Sequence, residues 1–197
     1  MKTKKKADRR VRRTQQSLYR ALLELTLKHG YEAVSVGDII AHADVGRSTF
    51  YAHYAGKEGL LLSGLNLLRD HLLEHQRAAQ AAPENSPGRL LGFSSALFEH
   101  VDSHRDLYRA LGQSGGGLVM ARIRSMLSDL VRLELAAARR PERSDDIPRG
   151  AVVNFVCDAL VSQILWWCEK NPRLTPAEVD SIFRRLVVPS VRAACLG

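Results

Sequence analysis

The chain has 197 residues, of which 45% are hydrophobic, and a formal net charge of +8 at pH 7. It is long and apolar enough to bury a sizeable core, as one domain or as a small head on a larger body. Its three cysteines are odd in number and lack metal-type pairing, which fits a reduced cytoplasm with the cysteines as small core residues.

The positive charge is concentrated on the N-terminal side. The first 57 residues contain twelve Lys or Arg against five Asp or Glu, a net of +7, whereas the remainder contains seventeen against sixteen, a net of +1. This is the distribution that a nucleic-acid partner requires. We expect Arg10, Arg12 and Arg13, next to the first helix, to contact phosphates or enter a minor groove. For residues 2–6 a solvated tail is an equal alternative.

The hydropathy pattern disfavours a membrane protein. The basic start is not followed by a continuous apolar segment and a small-residue cleavage site, so no signal peptide is predicted. The most apolar stretch, residues 151–168, is interrupted by Asn154, Asp158 and Gln163 and does not approach a membrane span. The basic run also lacks a neighbouring apolar stripe with aromatic anchors, as an interfacial helix would need. We therefore expect no membrane partner.

The first predicted helix has recognisable ends. Thr14 is predicted to cap its start, and Gly30 is suited to a left-handed cap at its end. The residues expected on its core side are Leu18, Ala21, Leu22 and Leu25. This helix is expected to brace the two that follow.

Two short helices joined by a tight turn are predicted next. Ser35 and Asp38 form a capping-box pattern at the start of the first, and Asp44 tolerates the left-handed backbone that a sharp reversal needs. The second helix is predicted from about Gly46 to His53. Its side chains divide into an inward pair, Phe50 and Tyr54, and an outward cluster with hydrogen-bonding ends, Arg47, Ser48 and Tyr51.

Two helices of this size beside positive charge resemble a helix-turn-helix, whose second member enters the DNA major groove. The segment from Thr49 to Leu61, T-F-Y-A-H-Y-A-G-K-E-G-L-L, resembles the pattern T-[LF]-Y-x-[HY]-F-x-x-K-E-x-L of TetR-type (tetracycline-repressor-like) transcriptional regulators. The chain departs from the family at Asp44, where Gly is usual, and at Gly46, where Ser is frequent. Gly46 is a weaker helix cap and lacks a hydroxyl that could meet a phosphate.

The resemblance implies which residues contact DNA. Those expected to face the major groove are Arg47, Ser48, Thr49 and Tyr51. Arg47 suits bidentate recognition of a guanine. Those expected to contact phosphates, which fix the register without reading sequence, are Ser35, His53 and Lys57. Two heads on a two-fold axis predict a pseudo-palindromic operator with half-sites roughly 34 Å, or a multiple of it, apart.

The rest of the chain is also predicted to be helical, because no segment alternates like a strand. A long helix is predicted from about Lys57 to Gln80, followed by a break at residues 82–87. Thr175, Pro176 and Glu178 form a complete start signal for the last helix. Further helices are predicted at about residues 88–103, 105–111, 118–139, 148–170 and 176–195. The predicted fold is all-α, with a three-helix DNA-binding domain at residues 1–56 and an effector-binding and dimerisation domain at residues 57–197.

The last two predicted helices are the most apolar. The helix at residues 148–170 is apolar nearly all round and must be covered on several sides. Burial inside the monomer is one explanation, but the similarly rich last helix suggests a two-fold interface. The resemblance implies the same arrangement, since TetR-type proteins dimerise through their last two helices. We therefore expect a homodimer.

Bulky, mostly apolar side chains in the body are candidates for an effector site, together with a few polar groups. The candidates are Phe98, His100, Tyr108, Met120, Phe155, Gln163 and Trp166. Composition alone does not distinguish such a site from a plain hydrophobic core. The resemblance implies an effector cavity between the middle helices, and these residues would suit a largely apolar small molecule.

Neither enzymatic nor metal chemistry is predicted, and no cofactor is expected. The sequence G-Q-S-G-G at residues 112–116 matches a hydrolase nucleophile turn, but that turn needs a preceding strand and a later His, and all seven histidines lie at or before His104. The glycines are predicted to form a flexible joint. The pairs His71/His75 and His100/His104 have a spacing that can bind zinc, but a solvated polar face is favoured. A pH-sensing or ligand-contacting His100 stays open.

These features predict a homodimer that binds operator DNA, represses transcription and is released by a small-molecule effector. Two alternatives remain. One is an enzyme in the helical body, which the lack of a complete catalytic set disfavours. The other is a ligand-binding or adaptor protein whose basic arm binds RNA or acidic partners without sequence preference.

Overall fold

The described part of the chain folds into α-helices and contains no strand, which confirms the predicted fold class. The computed structural model describes residues 2–83, 86, 88–113, 117–137, 147–171 and 173–195, with side chains from residue 10 onward. The helices are α1 (Lys2–His29), α2 (Val36–His42), α3 (Arg47–Tyr51), α4 (Lys57–Gln80), α5 (Ser94–Ser103), α6 (Arg105–Gln113), α7 (Gly117–Ala137), α8 (Arg149–Lys170) and α9 (Pro176–Cys195). The chain divides into two compact units, Met1–Asn66 and Leu67–Gly197, so α4 contributes to both.

The first unit is built on the predicted core side of α1, but this helix is longer than predicted. Basic residues are good helix formers and continue it back to Lys2. The prediction that Thr14 caps the helix is therefore wrong: its Oγ1 donates to the carbonyl of Arg10 inside the helix at 3.1 Å. The predicted end is confirmed, since Gly30 has a φ of +78°. The fully or nearly fully buried residues include Leu18, Ala21, Leu22, Ile39 and Phe50.

The first turns of α4 pack closely on α1 within this unit. A Cβ built on Gly64 would lie 1.9 Å from Cε2 of Tyr19, so the Tyr19 ring requires glycine at this position. Burial also raises the pKa of the Tyr19 hydroxyl. The start of α4 is therefore held in the same unit as the helix-turn-helix.

The second unit has α8 as its central helix. Helices α6, α7 and α9 pack against it, and α5 packs against α9. The ring of Phe98 meets Trp167 and Phe183 edge to face at centroid distances of 6.0 and 5.8 Å. By length and composition α8 could cross a membrane, and 50% of its most apolar window is buried inside the unit. Its central position therefore accounts for about half of its apolar surface.

A tight turn precedes α5, where a helix was predicted from residue 88. The helix begins only at Ser94, because Leu91 has a φ of +55°, which an α-helix does not accommodate. Arg184 of α9 holds the turn by donating to the carbonyls of Leu90 at 2.9 Å and Leu91 at 3.1 Å. The turn is therefore fixed by a distant side chain rather than by local sequence.

A buried polar network joins the end of α4 to α7. Nε2 of Gln76 donates to the carbonyl of Leu130 at 3.2 Å and to Oε2 of Glu134 at 2.5 Å. Burial raises the pKa of the Glu134 carboxyl, against hydrogen bonds from Gln76 and Gln80 that lower it. These bonds fix the C-terminal half of α4 in the second unit.

The other helix boundaries follow the sequence closely. Helix α4 spans the predicted range, and the predicted start of α9 is confirmed by a capping box between Thr175 and Glu178. Backbone N of Thr175 donates to Oε2 of Glu178 at 2.8 Å, and backbone N of Glu178 donates to Oγ1 of Thr175 at 3.3 Å. The joint predicted at residues 112–116 is corrected in part, because Gly112 and Gln113 are the last residues of α6. Residues 114–116 of that joint and part of the predicted break, residues 84, 85 and 87, lie outside the described residues.

Candidate nucleic-acid interface

The predicted capping box of α2 is present. Oγ of Ser35 accepts from the backbone N of Asp38 at 3.2 Å, while Oδ2 of Asp38 accepts from the backbone N of Ser35 at 2.9 Å and from its hydroxyl at 2.6 Å. Hydrogen bonds from the side chain and then the backbone of Ser35 lower the pKa of Asp38. The start of α2 is therefore fixed locally, and the single hydroxyl proton of Ser35 is already used.

The turn between α2 and α3 has the predicted geometry. Asp44 has a φ of +52°, and the backbone N of Val45 donates to the carbonyl of Ile40 at 3.0 Å. Oγ of Ser17 on α1 donates to the carbonyl of Ala43 at 3.3 Å. Gly46 caps α3 in an extended conformation, without a side-chain hydrogen bond. The two helices therefore form a helix-turn-helix with α3 as its second member.

Helix α3 separates an anchoring side from an exposed side. Phe50 is completely buried, and its ring lies 5.6 Å from that of the buried Tyr54. Tyr51 is 51% exposed, although its ring touches Phe50 edge to face at 5.4 Å. The other exposed residues of α3 and the segment after it include Arg47, Ser48, Thr49 and His53. Helix α3 and the segment after it thus combine a hydrophobic anchor with a polar surface.

The candidate arginines of α1 are also exposed, whereas the candidate lysine is engaged. Arg10, Arg12 and Arg13 are exposed on the N-terminal half of α1. Nζ of Lys57 donates to the carbonyls of Tyr31 at 2.8 Å, Glu32 at 3.1 Å and Val34 at 2.8 Å. It also lies 4.5 Å from the centroid of the Tyr31 ring. The side chain of Lys57 is therefore engaged by contacts within the protein, and its phosphate contact stays a prediction.

Two supports of the helix-turn-helix were missed in the sequence. Ser17 holds the turn, as described above, and Nε2 of His42 at the end of α2 lies 2.7 Å from Oε2 of Glu24 on α1. Ser17 and Glu24 are seven positions apart and so lie on one side of α1, beside its apolar side. That spacing indicates that Ser17 and Glu24 can contact the same neighbouring element, but nothing in the sequence of α1 indicates their partners.

The interior candidates of the body fall into two groups. Phe98 and Tyr108 are buried, and His100, Met120 and Gln163 are partly buried. His100 stacks on His104 at a centroid distance of 4.5 Å and meets Tyr108 edge to face at 6.2 Å. Nε2 of Gln163 is buried and has no hydrogen-bond partner among the described residues. These residues are compatible with a mostly apolar site that has a few polar groups.

Two candidates do not line the interior of the monomer. Phe155 is 48% exposed and Trp166 is 37% exposed, whereas the neighbouring Trp167 is fully buried against Phe98. Phe155 and Trp166 are therefore removed from the residues expected to line a pocket inside the monomer. The physical reason is the orientation of α8, which points one tryptophan into the core and the next away from it.

The histidine pairs differ from each other in exposure. His71 and His75 are exposed, as predicted for a solvated face, but His100 and His104 are partly buried. The described residues contain no group of three or more His, Cys, Asp or Glu that could hold a metal ion. Burial is the largest cause that lowers the pKa of His100 to about 4, and the nearby imidazoles of His104 and His71 lower it further.

The body is expected to lose stability in mild acid because of His100. The folded state favours the neutral form of His100. The contribution of this residue to the free energy of unfolding is therefore complete above the unfolded pKa of 6.5 and is lost as the pH falls toward about 4. From pH 8 to pH 5 the free energy of unfolding should fall by about 2 kcal/mol more in the wild type than in His100→Gln. Urea unfolding at both pH values measures this difference. The matched variant His75→Gln, at an exposed position, should keep the wild-type slope, and equal slopes for all three proteins would contradict the assignment.

Two family models match the chain, one on each side of residue 67. The model for bacterial regulatory proteins of the tetR family matches residues 18–63, and a model for a transcriptional regulator C-terminal region matches residues 89–188, about half of the chain. The chain belongs to the TetR family. TetR-family proteins are transcription regulators that bind operator DNA, act as dimers and bind small-molecule effectors, and they are not enzymes.

Individual relatives agree with this assignment. The uncharacterised helix-turn-helix regulator YxbF of Bacillus subtilis is 36% identical over 83 residues, which are 42% of this chain but only 22% of YxbF. The TetR-family chain is also 28% identical over 185 residues to the transcriptional regulator TcmR of Streptomyces glaucescens, covering 87% of this chain and 81% of TcmR. The crystal structure of Thermus thermophilus FadR, a TetR-family repressor in complex with lauroyl-CoA, has the same fold, with a TM-score of 0.56 and 24% identity over 88% of this chain and 93% of FadR.

Proposed function

We propose that this TetR-family regulator is a cytoplasmic repressor that binds a pseudo-palindromic operator as a homodimer and is released by a largely apolar small molecule. The observation that carries the proposal is the division of α3 into two sides. Phe50 anchors the helix in the core, and the residues around it expose hydrogen-bonding groups to solvent.

The exposed side of α3 has the chemistry that reads bases in a major groove. Arg47 carries a planar fork of N–H donors that matches O6 and N7 of guanine, and the hydroxyls of Ser48 and Thr49 can donate or accept. Tyr51 adds an exposed ring and a hydroxyl. We therefore assign base recognition to these four residues, with Arg47 as the main determinant.

Residues beside this surface supply the part of binding that does not depend on sequence. Arg10, Arg12, Arg13 and His53 are exposed cations or potential cations, and we place them at phosphates. Ser35 can donate its hydroxyl to a phosphate only if its bond to Asp38 opens, because a hydroxyl has one proton. Its contribution should therefore be smaller than that of the arginines.

The exposed apolar residues of α8 and α9 support a dimer. Phe155 and Trp166 are eleven positions apart, or about three helical turns, so they lie on one side of α8. Leu186 of α9 is 63% exposed. Large exposed apolar side chains on neighbouring helices favour burial against a second copy, since water contact with this surface is unfavourable. We assign Phe155, Trp166 and Leu186 to the dimer interface.

An effector site inside the body is supported by a buried donor beside apolar and aromatic side chains. The partly buried His100 faces Tyr108, and the buried Nε2 of Gln163 has no hydrogen-bond partner among the described residues. A buried donor without an acceptor is unfavourable and is satisfied when a ligand supplies an oxygen. Lauroyl-CoA in the structure of Thermus FadR supports an effector with a long apolar part.

The proposed release depends on α4. Its first turns pack on Tyr19 in the first unit, and Gln76 near its end is tied to Glu134 in the second. An effector that binds one conformation of the body more tightly shifts the population toward that conformation. Release follows if that conformation holds the two reading helices at a separation that does not fit successive major grooves.

Binding to DNA from the upstream region of the protein's own gene tests the function. Fluorescence anisotropy compares this DNA with a scrambled sequence of the same composition over a salt series. A large affinity ratio supports sequence-specific recognition. Equal affinities for the two DNAs, together with a genome-wide selection that enriches no fragment, would instead support an adaptor with a nonspecific basic arm.

A further inference from the structure

We propose that Lys57 is a positioning residue that orders the start of α2 from inside the protein, and that it does not contact the phosphates of DNA. The proposal rests on the proposed function, because the surface that Lys57 positions is the one assigned to operator binding. It follows from the contacts of the Lys57 side chain rather than from its charge.

The ammonium group of Lys57 is saturated by backbone carbonyls. Its three acceptors belong to Tyr31, Glu32 and Val34, at 2.8, 3.1 and 2.8 Å. An ammonium has three N–H donors and no acceptor, so three good acceptors complete its hydrogen bonding. The Tyr31 ring, 4.5 Å from Nζ, adds a cation–π contact. A phosphate could be bound only if some of these contacts were given up.

The three carbonyls belong to the link between α1 and α2, residues 30–35, where few helical partners exist. The carbonyl of Tyr31 also accepts from the backbone N of Val34 at 3.3 Å. Because peptide carbonyls are obligatory acceptors, releasing Lys57 would make those of Glu32 and Val34 find another donor, such as water. Bonds to a charged donor are also stronger than neutral ones. The Lys57 side chain therefore orders this link and is not available to bind a phosphate.

The link controls the helix-turn-helix because it ends at the α2 cap. Val34, one of the acceptors, is buried and is followed directly by Ser35, which caps α2 together with Asp38. Lys57 is itself the first residue of α4. One side chain therefore fixes the start of α2 to the start of α4, and α2 leads through the Asp44 turn to the reading helix.

The test separates positioning from phosphate contact by combining two measurements. Lys57→Met should speed amide hydrogen exchange in residues 34–39 of the free protein and lower operator affinity by about tenfold or more. The slope of log affinity against log salt should stay at the wild-type value, because no phosphate contact is lost. Lys28→Met removes the same charge from an exposed position of α1 and should change neither measurement.

Arg13→Met calibrates the loss of a phosphate contact. A dimer that loses one contact in each head should lose about 2 from the magnitude of the salt slope. If Lys57→Met lowers the slope by the same amount and leaves exchange in residues 34–39 unchanged, Lys57 is a phosphate ligand and the proposal is wrong.

Reductive methylation of the wild-type protein keeps the proposal testable if Lys57→Met fails to fold. Lys57 should be modified slowly in the free protein, and operator DNA should not slow it further. Rapid modification of free Lys57, followed by protection on DNA, would overturn the proposal. Exchange and methylation of the free protein need no operator, so failure of the proposed function would appear separately, as absence of sequence-specific binding by the wild type.

Discussion

Arg47→Ala is expected to remove most of the preference of the protein for its operator over scrambled DNA. A bidentate arginine–guanine pair contributes about 1–3 kcal/mol of discrimination, and a dimer makes it twice, so the affinity ratio should fall by about a hundredfold. Folding should be unaffected, because Arg47 is exposed and Phe50 anchors α3. Anisotropy on the two DNAs, with thermal unfolding of the variant, measures both effects.

The control for Arg47 removes an equal charge elsewhere on the same unit. Arg20 is exposed on α1 and has no assigned role in DNA binding. Arg20→Ala should weaken binding to both DNAs by a similar small factor and leave the ratio unchanged. If Arg47→Ala also lowered both affinities equally, Arg47 would supply charge alone, and base recognition would have to be assigned to other residues of α3.

Leu186→Glu is expected to convert the dimer to a monomer and to weaken operator binding by about a hundredfold or more, since the advantage of two linked heads is lost. Leu186 is 63% exposed on α9, so a charge there is tolerated by the monomer but would be buried against the partner copy. Sedimentation velocity gives the mass of the variant, and anisotropy gives its affinity. The thermal stability of the separated protomer is a secondary readout, because a dimer is stabilised by mass action.

The matched control for Leu186 is another exposed leucine of the body. Leu67 on α4 is 70% exposed, and Leu67→Glu should remain dimeric with wild-type affinity for the operator. If Leu186→Glu remained dimeric at low micromolar concentration, the assignment of α9 to the interface would be wrong. Trp166→Glu then tests whether α8 alone forms the contact.

The parts of the fold set by neighbouring residues could be predicted from the sequence. The capping boxes at Ser35 and Thr175 and the left-handed positions Gly30 and Asp44 depend on residues within three or four positions, and all are confirmed. The inward position of Phe50 follows from helical spacing in the same way. These local signals placed the helix-turn-helix correctly before any contact was known.

The features that depend on distant partners could not be predicted. The turn at Leu91 is held by Arg184, which lies on the last helix, and the carbonyls that engage Lys57 are more than twenty positions from it in the chain. The distinction between Trp166 and Trp167 depends on how α8 is rotated in the body, because both residues are equally apolar. Sequence spacing shows which residues share one side of a helix, but not which side of that helix is covered.

Hydroxyl-radical footprinting of the wild-type protein on a selected operator fragment tests the central claim most directly, that two α3 helices of a dimer read a two-fold site. The result expected is a pair of protected regions related by two-fold symmetry, with centres about 34 Å or a multiple of that distance apart. Recognition by a symmetric dimer would be contradicted by a single protected region. It would also be contradicted by protection whose position depends on where the fragment ends rather than on its sequence.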